Sequence, residues 1–576
     1  MNTECLNRVM SEDVYDFILE YNTDQLSVEA EYKRFCAQIA SEKYVCLYAV
    51  LNNAPSLSVN DYSYGAIPKL YGLQDLGAVA ETGALRLQNL TGFNLTGEGV
   101  IVGVIDTGID YRSKLFRYPT GESRILSIWD QTIQSGNPPE HLYYGSEYTK
   151  KDIDRALESD NPYEIVPHQD ENGHGTFLAG IACGGKDQEN LFVGVAPQAD
   201  LVVVKLKKAK RYLREFFLIR EEAEAYQEND VMLGVRYLID VAKANEKPLV
   251  ILLGIGSSLG EHSGGSPLGQ MIDYIAGIPG RAISVPAGNQ GNTRMHYRGN
   301  IPANGQYDDV EINVGETGSA RGFSLELWGQ TPDVFTISIK SPLGEEISEI
   351  PVRIGAGQEI GFVFENTKIS IDYRIVESGY GAELIFLRFI NPTPGVWQIR
   401  VYGTNILNGT FDMWLPLKEF ANEETFFLKP DPEVTITEPG NAKGVITVGA
   451  YDYRNNAAYA ATGRGYTRLG YVKPDMIAPG VAVFGPGVND YNDSAIDQIY
   501  FSQTGTSVAA AMVAGICAMF FQWGIVRGNE PFMNSIYIKN YLIRGAKRDD
   551  NVDYPNDISG YGRVNVYDAF KIIAGI

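Results

Sequence analysis

Basic residues are scarce in this 576-residue chain: 48 Lys and Arg stand against 71 Asp and Glu, a formal net charge of −23. Such a balance repels phosphate backbones and anionic lipid, which excludes nucleic-acid binding and electrostatic docking on membranes. Long apolar runs are missing too. No stretch approaches the roughly 18 apolar residues of a bilayer span. The N-terminus, MNTECLNRVMSEDVYDFILEY, lacks the basic flank and apolar run of a secretion signal. Cysteine is sparse and odd in number: Cys5, Cys36, Cys46, Cys183 and Cys517. Their scatter excludes a cysteine metal site and argues against a disulfide scaffold, so the expectation is a reducing interior. Cys183 and Cys517 fall in apolar helical patterns and read as buried, inert thiols.

What is present is ample core material: 44% hydrophobic and 21% charged residues, the composition of a globular protein. The length suggests about three to four domains. Residues 1–90 mix helical signals with a strand, YVCLYAVL (44–51), and form an α+β segment. From 91 to 302 a glycine-punctuated pattern follows, with apolar strands GVIVGVID (99–106), DLVVVKL (200–206), PLVILLGIG (248–256) and AISVPAG (282–288) between helices. One helix is expected to open at Asp230 as its N-cap and to present Val231, Val235, Leu238 and Ala242 on one face. Short buried strands alternating with amphipathic helices imply an α/β fold with a doubly wound, mainly parallel sheet. Between 303 and 432 the texture turns to short alternating runs such as VEINVG, FSLELWG and GVWQIRVYG, the pattern of a β-sandwich inserted in a surface loop. The α/β texture resumes at 433 and runs to 576.

Three distant segments carry chemistry. In GVIDTGID, an apolar strand ends at Asp106, and the carboxyl ends of strands in an open parallel sheet form the ligand crevice. In NGHGTFLAGIACG, His174 opens an apolar helix between two glycines, near a positive dipole end that disfavours its protonated form. In QTGTSVAAAMVAGICAMFF, Ser507 begins a helix of small residues whose free N–H groups can stabilise an oxyanion. Singly, each has a plain structural reading as turn former, satisfied histidine or N-cap.

Together, in the order Asp, His, Ser, these motifs resemble the signatures of the subtilisin-like serine proteases. Supporting stretches occur in order: GVAP (194–197), PAGNQGN (286–292), ITVGAYD (446–452) and KPDMIAPG (473–480). The resemblance implies a catalytic triad of Asp106, His174 and Ser507, and an oxyanion hole that includes Asn289. It places the substrate-binding strand near Gly256, Ser257 and Ser258, in the degenerate stretch LGIGSSLGEHSGG (253–265), where Glu261 and His262 read equally as solvated loop residues. Val508 and Ala511 stand where the family pattern has Met and Pro, both compatible with a helix. His141, His168, His262 and His296 lie in turn-rich contexts and are not read as catalytic.

The N-terminal segment and the insert together resemble the Csp germination proteases of clostridia, which carry a prodomain and a jelly-roll and activate a cortex-lytic enzyme precursor. That resemblance implies an inhibitory prodomain in 1–90, self-cleavage within about 70–90, and a retained fragment as partner. It also implies limited cleavage of a protein precursor and a cytoplasmic or spore location. General intracellular turnover, or a vestigial scaffold that binds a partner through the sandwich, are the rival readings. No cofactor is expected and no metal site is evident. The most acidic stretch, with Asp490, Asp493 and Asp497, is the place to look for calcium but reads as solvated.

Overall fold

The computed structural model describes residues 3–22, 25–50, 57–59, 61–73, 80–90, 92–316, 321–352, 357–377, 381–488 and 499–574. Its centre is a mixed sheet built on seven parallel strands. Met476–Pro479, Ile446–Asp452, Arg281–Pro286, Leu249–Leu253, Ile101–Asp106, Asp200–Lys205 and Ile125–Asp130 lie side by side. Short antiparallel strands, Ala457–Ala458 and Ser146–Thr149, pair at its borders. Strands such as LVILL and DLVVVK are buried along their whole length because helices cover both faces. The helices His174–Cys183 and Thr506–Phe521 pack on one face, and Glu228–Ala244 and Pro267–Ala276 on the other. This is the doubly wound architecture expected.

Four expectations need correction. Cys5 and Cys36 form a disulfide, joining the first helix to a turn across 31 residues, so cysteine usage no longer supports a reducing compartment. One helix, Thr506–Val526, is long and apolar enough to cross a bilayer; with 89% of its window buried it is the central core helix of the fold. The helix expected at Asp230 starts at Glu228. Asp230 does not cap it, because its carboxylate takes the Tyr144 hydroxyl (2.7 Å) and pairs with Lys207 (2.5 Å). Finally, the insert begins before 303: the polar segment His296–Asn300, which lacks an alternating apolar pattern, is already its first strand. The acidic stretch at 489–498 lies outside the described residues.

Among the described residues the insert consists of two antiparallel sheets, of six and five strands, facing one another across a shared apolar core. It leaves the central sheet after Arg281–Pro286 and returns before Ile446–Asp452, and these two strands are direct neighbours. The N-terminal segment forms its own three-stranded sheet (Val14–Glu20, Tyr44–Val50, Gln38–Ile39) with the helices Thr3–Met10 and Gln25–Glu31. All three parts meet in one apolar cluster, where Tyr64 and Leu70 pack with Phe216 and Phe217 of the α/β part and with Trp328 and Phe386 of the insert.

Candidate active site

Asp106, His174 and Ser507 converge at the carboxyl end of the sheet. Asp106 ends a central strand that is buried throughout. Its Oδ1 accepts the Thr107 N–H (2.8 Å) and lies 2.7 Å from His174 Nδ1. The other ring nitrogen, Nε2, is 3.3 Å from Ser507 Oγ. The His174 helix start is held by groups that sequence reasoning missed. Asp170 Oδ1 accepts the Gly173 N–H (2.9 Å), and its Oδ2 accepts both the N–H and the hydroxyl of Thr176. Thr107 Oγ1 in turn accepts the Gly175 N–H (2.9 Å), locking the DTG turn to the histidine helix. The signal was an acidic residue four positions before the histidine.

Two glycines are required by close approach. A Cβ on Gly175 would sit 2.2 Å from the Gly108 carbonyl oxygen, so only glycine lets the two motifs touch. A Cβ on Gly254 would sit 2.2 Å from Asp106 Oδ2 and 3.2 Å from His174 Cε1. Gly254 follows the strand Leu249–Leu253 and keeps that wall clear of the Asp–His pair.

Ser507 lies in the first turn of a fully buried helix, where backbone N–H groups have no intrahelical acceptor. Asn289 is tied to the same turn: its Oδ1 accepts the Thr506 N–H (3.1 Å) and the Thr506 hydroxyl (3.2 Å). That orientation presents Nδ2 as the free end of the amide. Asn289 and His174 both line a cavity of about 550 Å3 whose wall includes Lys418 and Glu419 from the insert. Among the described residues no cluster of three or more His, Cys, Asp or Glu could hold a metal ion.

The residues expected on the substrate strand divide. Gly256 pairs in antiparallel register with Gly72, and Ile255 with Leu73. The strand Leu70–Leu73 is paired on its other side with Tyr226–Gln227, so a piece of the N-terminal segment forms the middle of a three-stranded sheet. Tyr226 and Gln227 carried no local signal in the sequence. Ser257 and Ser258 form a wall braced from behind: Ser257 exchanges two backbone hydrogen bonds with Glu438 (2.9 and 2.8 Å), and the Ser258 carbonyl lies 3.1 Å from His262 Nε2.

Glu261 and His262 are not solvated loop residues; they are 2% and 1% exposed, covered by the insert. The His262 ring stacks on Trp414 at 4.1 Å, with Nδ1 2.9 Å from the Ile436 carbonyl. Burial outweighs these carbonyls and pulls the imidazole down from its ordinary 6.5 to about 4. The folded state therefore binds its proton later than the unfolded chain does. This neutral ring contributes stability that is complete above pH 6.5 and is lost as the pH falls towards 4. Unfolding midpoints across that window should fall more steeply for the unaltered chain than for His262→Gln, by up to about 3 kcal/mol. Parallel curves would show that the ring does not bear on stability.

The remaining histidines have other partners. His168 Nδ1 is 2.6 Å from Asp130, and its Nε2 accepts the Ile109 N–H (3.1 Å), supporting the loop after Asp106. His296 lies against Asp412, and His141 is exposed. Cys183 and Cys517 are buried, and burial pushes the Cys183 thiol up to about 12.

The subtilase family matches residues 97–322 and 422–562, more than half of the chain. Among solved structures, the CspB protease of Clostridium perfringens is 32% identical, with a TM-score of 0.75 over 86% of this chain and 99% of that one. Among curated proteins, serine protease AprX of Bacillus subtilis is 36% identical over 24% of this chain and 31% of its own length. Subtilisin-like protease SBT3 of Solanum lycopersicum is 24% identical over 80% of this chain and 59% of its own length. The chain thus spans about a third of AprX and less than two thirds of SBT3. The family match over more than half of the chain, and a fold shared along nearly the whole length of CspB, make this chain a member of the subtilase family.

Proposed function

We propose that the enzyme cuts its own chain once, just beyond Leu73, keeps the N-terminal piece bound as an inhibitor, and then performs limited cleavage of a protein precursor. In this reading Ser507 Oγ attacks the scissile carbonyl and His174 Nε2 takes its proton. Asp106 accepts the Nδ1–H and stabilises the imidazolium, while the Ser507 N–H and Asn289 Nδ2 donate to the oxyanion. His174 returns the proton to the leaving amine, and water then hydrolyses the acyl-enzyme. Replacing Asn289 by Ala should lower kcat by about 10²–10³-fold with little change in KM, because its amide meets a charge present only in the transition state. A change in KM alone would contradict that role.

The observation that carries the proposal is the strand Leu70–Leu73, seated between Ile255–Gly256 and Tyr226–Gln227. An extended segment added to a strand edge is how peptides are commonly held for recognition. Leu73 pairs with Ile255, one residue short of Gly254, the residue beside Asp106 and His174. If the register runs on by one residue, this reading assigns the cut to the bond between Gln74 and Asp75. The expected cut at 70–90 thus narrows to a stretch, 74–79, that lies outside the described residues. Intact mass and N-terminal sequencing of the purified chain test it: two fragments, the larger beginning at Asp75, are expected. A single full-length species sinks the proposal.

Retention of the fragment is supported by a buried polar interface. Asp16 of the N-terminal sheet is 1% exposed; its Oδ1 takes Lys210 Nζ (2.5 Å) and its Oδ2 accepts from Gln227 (2.8 Å) and Asn229 (3.3 Å). Removing one partner of such a pair leaves an uncompensated buried charge, at a cost of about 3–5 kcal/mol. Asp16→Ala should weaken fragment binding by roughly 10²–10³-fold, read as faster dissociation on size exclusion. Unchanged retention would show that the interface does not depend on this contact. On the resemblance to the Csp germination proteases, a spore-cortex lytic precursor and a cytoplasmic or spore setting are proposed as the context; casein digestion by the processed enzyme would instead favour general turnover.

A further inference from the structure

Lys69 is a cation buried where the chain has little reason to bury one: it is 2% exposed and comes immediately before the strand in the cleft. Glu228, at the end of the opposite wall, holds it three ways. The Glu228 N–H donates to the Lys69 carbonyl (2.9 Å), Glu228 Oε2 accepts the Lys69 N–H (3.2 Å), and the same oxygen lies 3.8 Å from Lys69 Nζ. The other carboxylate oxygen accepts the Leu268 N–H (3.1 Å), so Glu228 is oriented by its own part of the fold. The carboxyl groups of Glu326, Glu377 and Glu438 lie close enough to act electrostatically on Lys69, with Glu228 the acidic group in direct contact with it. Neither Glu326 nor Glu438 forms an ion pair with any Lys or Arg among the described residues, and Glu228 pairs only with Lys69. Burial pushes Glu326 up and Glu438 up to about 8. When residue 69 leaves, a buried acidic recess remains in line with the cleft.

We propose that this recess is a specificity subsite, with Glu228 as its selecting residue, for protein substrates carrying Lys or Arg four residues before the one that replaces Leu73. The backbone bonds at Glu228 fix the register of the incoming strand, and the carboxylates choose its side chain. The inference rests on the proposed cleavage just beyond Leu73, which makes residues 69–73 the image of a substrate. Lys69 also donates to the Tyr64 and Ile67 carbonyls (2.8 and 2.6 Å) and lies over the Tyr64 ring at 4.4 Å. A lysine that served only to tie its own loop would use these groups alone.

Peptides separate the two roles. Internally quenched peptides with the sequence of residues 68–80 lack Tyr64 and Ile67, so a preference at position 69 can come only from the enzyme. They are prepared with Lys, Arg, Met or Glu at that position and given to the self-processed full chain. Ratios of kcat/KM within one preparation do not depend on how many clefts the fragment has vacated. Lys and Arg are expected to exceed Met by roughly tenfold, with Glu lower still. The Lys-to-Met ratio should fall towards one in Glu228→Gln, and the unaltered enzyme decides the question alone if that variant does not fold. Equal kcat/KM for all four peptides overturns the acidic subsite and leaves self-processing standing. No cleavage of any peptide, from a chain that also stays uncut, contradicts the reading on which the subsite rests.

Discussion

Ser507→Ala should leave a folded chain that does not cut itself, its self-cleavage slower by roughly 10⁶-fold, the loss that follows removal of the nucleophile from such a triad. The substitution removes one oxygen from a helix whose residues are all buried, and Ala suits both the helix and the small space around it. The fold has no reason to change, so the loss isolates chemistry. What disappears is the atom 3.3 Å from His174 Nε2, while Asn289 and the strand pairing at Gly256 remain. Mass spectrometry over days, with a thermal unfolding curve on the same sample, checks both halves. Self-cleavage within a hundredfold of the parent rate would move the nucleophile elsewhere.

Asp106→Asn should slow self-cleavage by about 10⁴-fold without disturbing the geometry. Asp106 Oδ1 accepts from both the Thr107 N–H and the His174 ring, and its Oδ2 is buried without a hydrogen-bond partner among the described residues. An amide there keeps the shape but loses the negative charge that stabilises the imidazolium, and it can donate to Nδ1, which selects the wrong tautomer at Nε2. The slowed reaction is measured as a single-exponential loss of full-length chain. A rate within tenfold of the parent would mean that His174 works without Asp106.

The convergence of Asp106, His174 and Ser507 was legible because each sits where local sequence dictates its place. Asp106 closes an apolar strand, His174 and Ser507 open apolar helices, and glycines on either side of His174 mark a close contact. What stayed hidden depends on distant backbone. Leu70–Leu73 and Tyr226–Gln227 are ordinary residues that acquire meaning only by pairing across more than 150 positions, and Glu228 gains its role from lying at their end. Glu261 and His262 have the composition of an exposed loop but are covered by an insert that arrives later in the chain. The Cys5–Cys36 pair was missed for a similar reason: a helix and a turn bring the two α-carbons to 5.4 Å, which scattered spacing does not reveal. The insert itself was read from its alternating strands, except for the polar edge strand His296–Asn300, which takes its hydrogen bonds from Thr410–Trp414.

The central claim is that Ser507 is an activated nucleophile. A fluorophosphonate probe reports this directly, because it phosphonylates a serine only where a base and an oxyanion hole act together. The self-processed chain should gain one adduct, mapped to Ser507, and lose it in His174→Ala. An adduct on another residue, labelling that survives His174→Ala, or no labelling after the N-terminal fragment is removed would contradict the account.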